Sequence, residues 1–102
     1  MNDDEHYYNL ATNYYAKEQY DKAISSYTEA IKQNPNYVLA RLERGITYAK
    51  KKQYDEAISD FTGAIKLRPK IGLYYEIRAM VYDCIDQANA DYEKQKNILA
   101  IL

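Results

Sequence analysis

Apolar residues recur at intervals of three and four along almost the whole chain. Tyr7, Leu10, Ala11 and Tyr14 show this spacing first, and it continues from Ala23 onward. It is the periodicity of a helix with one buried face, and no stretch alternates with the period of two that marks a half-buried strand. The pattern predicts helices over 4–17, 21–33, 38–51, 55–67 and 71–84, with further helix toward the C-terminus. The predicted class is therefore all-α, with five to six helices.

Two prolines mark a repeat. The segments before Pro35 and Pro69 are nearly the same: residues 19–32 read QYDKAISSYTEAIK and residues 53–66 read QYDEAISDFTGAIK. The interval from Pro35 to Pro69 is the repeat period. A fixed period of this length is typical of stacked helical repeats, whose units bury their apolar faces against their neighbours.

The ends of the predicted helices carry matching signals in both units. Each proline follows a helix that it cannot continue. Asp21 and Asp55 stand where the start of a helix favours a side-chain acceptor for its N–H groups, so we expect them to cap the second helix of each unit.

The residues that recur at this period also follow a recognisable order. In the first unit they are Tyr7, Leu10, Ala11, Tyr14, Ala23, Tyr27, Ala30 and Pro35, and in the second they are Gly45, Tyr48, Ala57, Phe61, Ala64 and Pro69. This order resembles the tetratricopeptide repeat, in which an aromatic residue, Leu-Gly and Tyr are followed by Ala, an aromatic residue and a closing Pro. The second unit departs from it at Arg41 and Arg44, which stand where the first has Tyr7 and Leu10.

The resemblance implies a solenoid of antiparallel helix pairs in a single domain, 1–102. Repeat one covers 4–37, repeat two covers 38–71, and a degenerate third unit covers 72–102. Small residues such as Ala11 and Gly45 are expected to let two helices cross closely, while Tyr27 and Phe61 fill the space beside the crossing.

The third unit departs from the pattern. Tyr82 to Ala88 spans six positions where Tyr48 to Ala57 spans nine, so three residues are missing at the turn. The apolar positions of the last helix also become polar, since Asn89, Gln95 and Lys96 replace Ile58, Ala64 and Ile65. Two alternatives are open. Either a tight turn leads to a polar capping helix, or residues 83–87, which lack Gly and Pro, continue into one projecting helix of about 30 residues.

A fused terminal helix would expose a long stripe. The stripe steps by three and four through Tyr75, Arg78, Tyr82, Ile85, Asn89, Tyr92, Lys96 and Leu99. Such a surface usually finds a partner, and loss of a hinge loop is a route to domain-swapped dimers. The residues predicted for a homodimer interface are Ile85, Tyr92, Leu99 and Leu102.

Composition and charge argue against several classes. The net charge of −1 mixes both signs without a basic stripe, so no nucleic-acid partner is expected. No apolar run reaches the roughly 18–20 residues of a membrane span, and the acidic N-terminus is unlike a signal peptide. The one cysteine, Cys84, cannot form an internal disulfide and fits a reducing compartment, so we expect a cytoplasmic location.

No catalytic, metal or cofactor site is predicted. His6 lies at a polar terminus and is interpreted as solvated, and Cys84 is interpreted as a helix-packing residue because no histidine lies near it in the sequence. Asp3, Asp4 and Glu5 lack the spacing of a calcium loop and are expected to favour the positive end of the first helix. The chain lacks a glycine-rich phosphate loop and metal-ligand spacing, which predicts a binding protein rather than an enzyme.

The resemblance also implies a ligand groove on the concave face, made by the first helix of each unit. The phase of the repeat assigns to it Tyr8, Thr12, Tyr15, Leu39, Leu42, Glu43, Ile46, Leu73, Ile77 and Met80. In one subclass of the family a clamp of Lys, Asn and Arg holds the C-terminal carboxylates of a chaperone. The aligned positions here are Tyr8, Thr12, Glu43, Leu73 and Ile77, which include no cation, so that clamp is disfavoured.

Three functional interpretations follow. The leading one is an adaptor that receives an apolar or amphipathic segment of another protein in the groove. The second is a self-association module, whose own terminal helix or that of a dimer mate would fill the groove. The third is a fragment of a longer repeat protein.

Overall fold

The chain folds into a series of helices stacked in pairs. The computed structural model describes residues 3–101, with the side chains of 98, 99 and 101 excepted, and within them it contains five helices and no strand. They are α1 (Asp3–Ala16), α2 (Tyr20–Gln33), α3 (Val38–Lys50), α4 (Tyr54–Leu67) and α5 (Gly72–Ile101). Each helix packs against the next one in the chain, and the predicted all-α class is confirmed.

The two helix pairs turn in the same way. Glu18 and Lys52, which lie one repeat period apart, adopt positive φ angles of 59° and 62°. In both turns the N–H of the next residue donates to the carbonyl five residues earlier, at 2.9 Å. A left-handed residue at the end of a helix closes the turn within three residues, so the second helix runs back along the first.

The predicted side-chain caps at Asp21 and Asp55 are wrong. Because the tight turns let α2 and α4 begin one residue earlier than predicted, Gln19 and Gln53 occupy the N-cap positions, without a side-chain hydrogen bond. The aspartates lie in the first helical turn instead, where a negative charge favours the helix dipole. Asp21 also forms an ion pair with Lys51 of the next turn.

Two hydrophobic clusters hold the stack together. The first contains Ala11, Ala23, Tyr27, Ala30 and Ala40, and the second contains Leu42, Ala57, Phe61, Ala64, Ile65, Tyr74 and Val81. The expected close crossing is confirmed, because a Cβ added at Gly45 would lie only 2.6 Å from Cε1 of Phe61. Tyr27 and Phe61 are the largest fully buried side chains among the described residues.

The terminal helix α5 resolves the two alternatives for the third unit. Residues 83–87 are helical, so the tight turn is wrong and the fused helix of 30 residues is confirmed. Three missing residues remove the left-handed turn that closes the other pairs, and nothing in this stretch stops a helix. Tyr74 and Val81 pack onto the second cluster, whereas every side chain of 86–97 is exposed. The projection of α5 contributes to a molecule 63 Å long and 31 Å wide.

A polar bridge repeats between units and is half formed at α5. Arg44 donates to both carboxylate oxygens of Asp60, at 2.6 and 2.9 Å, and to the hydroxyl of Thr28 at 3.1 Å. Arg78, its equivalent in the next unit, donates to Thr62 at 3.2 Å. Among the described residues no carboxylate lies within ion-pair distance of Arg78.

Candidate binding groove

Two neighbouring pockets open on the face made by α1, α3 and α5, here called the groove. The polar pocket has a volume of about 210 Å³ and is lined by Thr12, Tyr15, Tyr27, Glu43 and Ile46. The apolar pocket has a volume of about 370 Å³ and is lined by Ile46, Ala49, Lys50, Tyr54, Phe61, Ile77, Met80, Val81 and Cys84. Ile46 forms a shared wall, so the pockets lie side by side.

The two pockets are the same site in successive units. Shifting the polar pocket by one repeat period converts Thr12 to Ile46, Tyr15 to Ala49, Tyr27 to Phe61, Glu43 to Ile77 and Ile46 to Met80, all of which line the apolar pocket. The repeat therefore builds one cavity twice and fills its walls with different chemistry.

The polar pocket is organised around one carboxylate. The Tyr8 hydroxyl donates to Oε1 of Glu43 and the Tyr27 hydroxyl donates to Oε2, both at 2.8 Å. The Tyr8 ring also stacks on Tyr37, with the centroids 5.1 Å apart. Burial raises the pKa of both the Tyr8 and the Tyr27 hydroxyl well above the usual tyrosine value, and the carboxylate of Glu43 acts in the same direction.

The apolar pocket lacks every group of this network. Ile77 replaces the carboxylate, and Phe61 replaces a tyrosine at the floor. Ala49 stands where the polar pocket has Tyr15, whose ring lies 5.6 Å from the ring of Tyr20. The smaller side chain of Ala49 leaves more room in the pocket. Of the described residues, Lys50 is the only charged one that lines it.

The structure brings most of the predicted groove residues to these two pockets. Thr12, Tyr15, Glu43 and Ile46 line the polar pocket with Tyr8 bonded beside it, and Ile77 and Met80 line the apolar one. Leu42 is buried in the second cluster rather than exposed in the groove, because it faces α4 and α5. Leu39 and Leu73 are 46% and 56% exposed and line neither pocket.

Sequence reasoning missed the residues that form the floor of the groove. Tyr27 and Phe61 come from the second helices, which the family's phase assigns to packing. Cys84 is exposed and lines the apolar pocket, so its interpretation as a helix-packing residue is wrong. The reason is that α5 continues past it and no helix covers that side.

The remaining predicted residues are distributed along the ends of the chain. Ile85 is half-buried and Tyr92 is 64% exposed, whereas Leu102 and the side chain of Leu99 lie outside the described residues. His6 is exposed beside Tyr7. Over residues 3–101 the structure contains no cluster of three metal-ligating side chains, and no helix there is both long enough and apolar enough to span a membrane.

Stacked antiparallel pairs with a repeating pocket define a helical-repeat protein. The chain belongs to the tetratricopeptide repeat family, since the family model described as tetratricopeptide repeat matches residues 8–70. A search of the curated proteins gave no match.

Solved structures share the fold. One is the TPR2B domain of yeast Sti1 in its pHsp70 complex, with a TM-score of 0.78 and 25% identity over 89% of this chain and 73% of that chain. Another is the second TPR of Spaghetti (RPAP3) bound to the HSP90 peptide SRMEEVD, with a TM-score of 0.77 and 21% identity over 97% and 92%. A MamA RS-1 ArsTM double mutant has a TM-score of 0.76 and 24% identity over 91% and 52%.

Proposed function

We propose that this chain is a non-enzymatic adaptor that binds an apolar or amphipathic segment of another protein in its groove. The observation that carries the proposal is the apolar pocket of about 370 Å³ between α3 and α5, which is open to the groove. Similarity to the TPR2B domain of yeast Sti1, solved in its pHsp70 complex, supports a protein segment as the ligand.

The apolar pocket suits one bulky hydrophobic side chain. Its walls include Phe61, Ile77 and Val81, so an incoming side chain would exchange contact with water for contact with hydrocarbon along these walls. Complete burial of a Leu, Ile, Phe or Met side chain contributes about 1.5–3 kcal/mol. Such an anchor, flanked by weaker contacts, is how small interfaces obtain most of their binding energy.

An acidic chaperone tail is disfavoured as the ligand. The peptide bound by RPAP3, SRMEEVD, carries three acidic residues. In this chain Glu43 lies in the polar pocket, and no cation of the described residues forms an ion pair with it. Like charges placed together in a partly desolvated site repel each other, so we expect SRMEEVD not to bind.

The experiment fills the apolar pocket with a residue that the repeat already uses. Short random peptides are selected on the immobilised protein, and their affinities are measured by fluorescence polarisation. Ala49→Tyr places in the second unit the ring that Tyr15 supplies in the first, so the fold should accept it. We expect selected peptides to carry a bulky apolar residue and to bind the variant at least ten-fold more weakly.

Ala100→Tyr is the matched control, because it adds the same ring at an exposed position near the end of α5. Its affinity should stay within about two-fold of the wild-type protein, since exposed substitutions have small effects. Unchanged peptide affinity in Ala49→Tyr, or selection of acidic peptides only, would contradict the adaptor proposal.

Self-association is the second candidate, favoured by an uncovered face of α5. Arg41 and Gly45 of α3 lie against α4, where Gly63 and Phe61 face them. Their equivalents on α5 lack such a helix, and Tyr75, Ala79 and Tyr82 are exposed. The end of α5 repeats the pattern of α4, since Ala88, Asp91 and Tyr92 follow the spacing of Ala57, Asp60 and Phe61.

The half-formed polar bridge indicates what a second copy would supply. Arg44 bonds Asp60, and the equivalent pair in the third unit is Arg78 with Asp91. On a straight helix these two lie 13 residues, or about 20 Å, apart, so they cannot pair within one chain. We propose that residues 88–96 of a second copy cover the exposed face of α5 and place Asp91 against Arg78.

Charge exchange tests this pair. Multi-angle light scattering over a wide concentration range should show a dimer that Arg78→Asp or Asp91→Arg weakens. The double variant should restore it, because the pair re-forms with the charges reversed. Asp86→Arg, at another exposed position of α5, is the control. A monomer at all concentrations, or a double variant no better than the single ones, would contradict self-association.

A further inference from the structure

The carboxylate of Glu43 is the negative centre of the polar pocket. It is half-buried, and it accepts hydrogen bonds from Tyr8 and Tyr27. Hydroxyl donors are neutral, so these bonds orient the carboxylate but leave its full charge. Within residues 3–101 no lysine, arginine or histidine lies within ion-pair distance of it. A half-buried carboxylate without a counter-ion can gain an ion pair from a cationic ligand.

The walls of the polar pocket suit a cation as well. The rings of Tyr15 and Tyr27 line it beside Glu43, and the ring of Tyr8 lies 6.0 Å from that of Tyr27. Tyrosine faces attract ammonium and guanidinium groups. A carboxylate has about four acceptor positions, and the two hydroxyls occupy only two of them. The volume of about 210 Å³ is several times the roughly 30 Å³ that a water molecule takes in the liquid.

The surroundings of the pocket are negative. Tyr37, stacked on Tyr8, has its pKa raised by burial and further by the nearby carboxylates of Asp4, Glu5 and Glu43. Asp4 is held in place by a hydrogen bond from the side chain of Asn34 at 3.1 Å. Three carboxylates thus act on one ring, and this end of the groove attracts positive charge.

We infer that the polar pocket is a binding site for an alkylammonium or guanidinium group, as carried by a lysine or arginine side chain of the partner segment. The head of the side chain meets Glu43, and its methylenes lie against Tyr15 and Ile46. Because Ile46 lines both pockets, a base here and an apolar residue in the neighbouring pocket would lie close together in one bound segment. This inference rests on the proposed function for the partner segment that carries the base, but the cation site itself requires no occupant in the apolar pocket.

The test uses small probes that differ only in their head group. The ¹⁵N-labelled protein is titrated with n-butylammonium, n-butanol and n-butyrate, and the amide shifts are followed by NMR. We expect n-butylammonium to give saturable shifts at Thr12, Glu43 and Ile46. The neutral alcohol should bind at least ten-fold more weakly, and the anion should give no saturable shift.

Glu43→Gln removes the charge and keeps the shape and an acceptor for the tyrosine hydroxyls. It should weaken n-butylammonium binding at least ten-fold, whereas Glu76→Gln should leave it unchanged. Glu76 is exposed on α5, part of the same face, and lines neither pocket.

Several results would overturn the inference. They are equal binding of n-butanol and n-butylammonium by the wild-type protein, unchanged binding by Glu43→Gln, and equal losses in Glu43→Gln and Glu76→Gln, which would indicate only diffuse attraction. The comparison of the three head groups on the wild-type protein tests the cation site even if a variant does not fold. Loss of peptide binding to Ala49→Tyr does not affect this result, so the two proposals fail separately.

Discussion

The polar and apolar pockets occupy equivalent places in successive repeats, yet they differ in almost every property that a ligand would sense. Both have an aromatic floor, which is Tyr27 in the polar pocket and Phe61 in the apolar one. Both of these side chains are fully buried. One carries a carboxylate that two hydroxyls orient, and the other carries Ile77 at that place. One is narrowed by Tyr15, and the other is opened by Ala49.

The difference shows how a repeat can hold its scaffold constant while changing its surface. The residues that set the crossing of the helices are small in both units, so the cavity recurs at the same place. The residues that decide what enters it are a handful of side chains that do not carry the stack. Exchanging these side chains between units should therefore exchange the chemistry without unfolding the protein.

The largest expected effect comes from moving the carboxylate into the wrong pocket. Ile77→Glu places a carboxylate beside Phe61, which has no hydroxyl to donate to it as Tyr27 does in the first unit, and we expect a loss of about 2–3 kcal/mol in the free energy of unfolding. Adding Phe61→Tyr supplies a donor and should recover about 1 kcal/mol. Urea unfolding followed by circular dichroism measures both, and equal stabilities of the single and double variants would break the comparison.

The reverse exchange should cost less. Glu43→Ile leaves the hydroxyls of Tyr8 and Tyr27 without their acceptor, and Tyr27 is 1% exposed, so we expect a loss of about 1–2 kcal/mol. Adding Tyr27→Phe removes one of the two unpaired hydroxyl donors, so it should recover part of the lost free energy of unfolding. The same urea titrations check this prediction, and a stabilised Glu43→Ile protein would show that the network does not support the fold.

Alkaline pH should act on the hydroxyl network of the polar pocket. The pKa of Tyr8 and Tyr27 is raised by burial, so their contribution is complete below the unfolded tyrosine pKa of about 10 and falls as pH rises above it. The free energy of unfolding should then fall by up to about 1.4 kcal/mol per pH unit through Tyr27, and by less through the more exposed Tyr8. Unfolding measured between pH 8 and 11 should be steeper for the wild-type protein than for Tyr27→Phe. Identical slopes would contradict the network.

The smallest effect is expected where the two units are alike. Glu18 and Lys52 both adopt a left-handed conformation that glycine accepts without strain. Glu18→Gly and Lys52→Gly should each raise the free energy of unfolding by about 0.5–1 kcal/mol, and by similar amounts. Thermal melts of the two variants provide the measurement, and opposite signs would show that the repeats are not equivalent at their turns.

Most of the fold was predictable because its signals are local or periodic. The spacing of Tyr7, Leu10 and Tyr14 is enough to predict a helix. The interval from Pro35 to Pro69 is enough to predict a stack of repeats. The helix starts were misjudged at Asp21 because the turn before it closes through the backbone at Glu18, which leaves no mark in composition. The sequence alone did not decide the path of α5, because a segment that lacks three residues can form either a tight turn or a continuous helix.

The groove was less predictable than the fold. Thr12, Tyr15 and Glu43 follow from the phase of the first helices, which the family resemblance supplies. The floor at Tyr27 and Phe61 was missed because both are fully buried residues of the second helices, which the family's phase assigns to packing. The apolar pocket is the larger of the two where Ala49 replaces the ring of Tyr15, and the sequence alone does not show whether another side chain fills that space.

The central claim is that one groove holds two neighbouring pockets of opposite chemistry. The most direct measurement titrates the ¹⁵N-labelled protein with n-butylammonium and, separately, with toluene. We predict that n-butylammonium shifts the amides of Thr12 and Glu43, and that toluene shifts those of Ala49, Val81 and Cys84. Both probes should reach Ile46 on the shared wall. Shifts of the same amides by both probes, or no saturable shift by either, would contradict the claim.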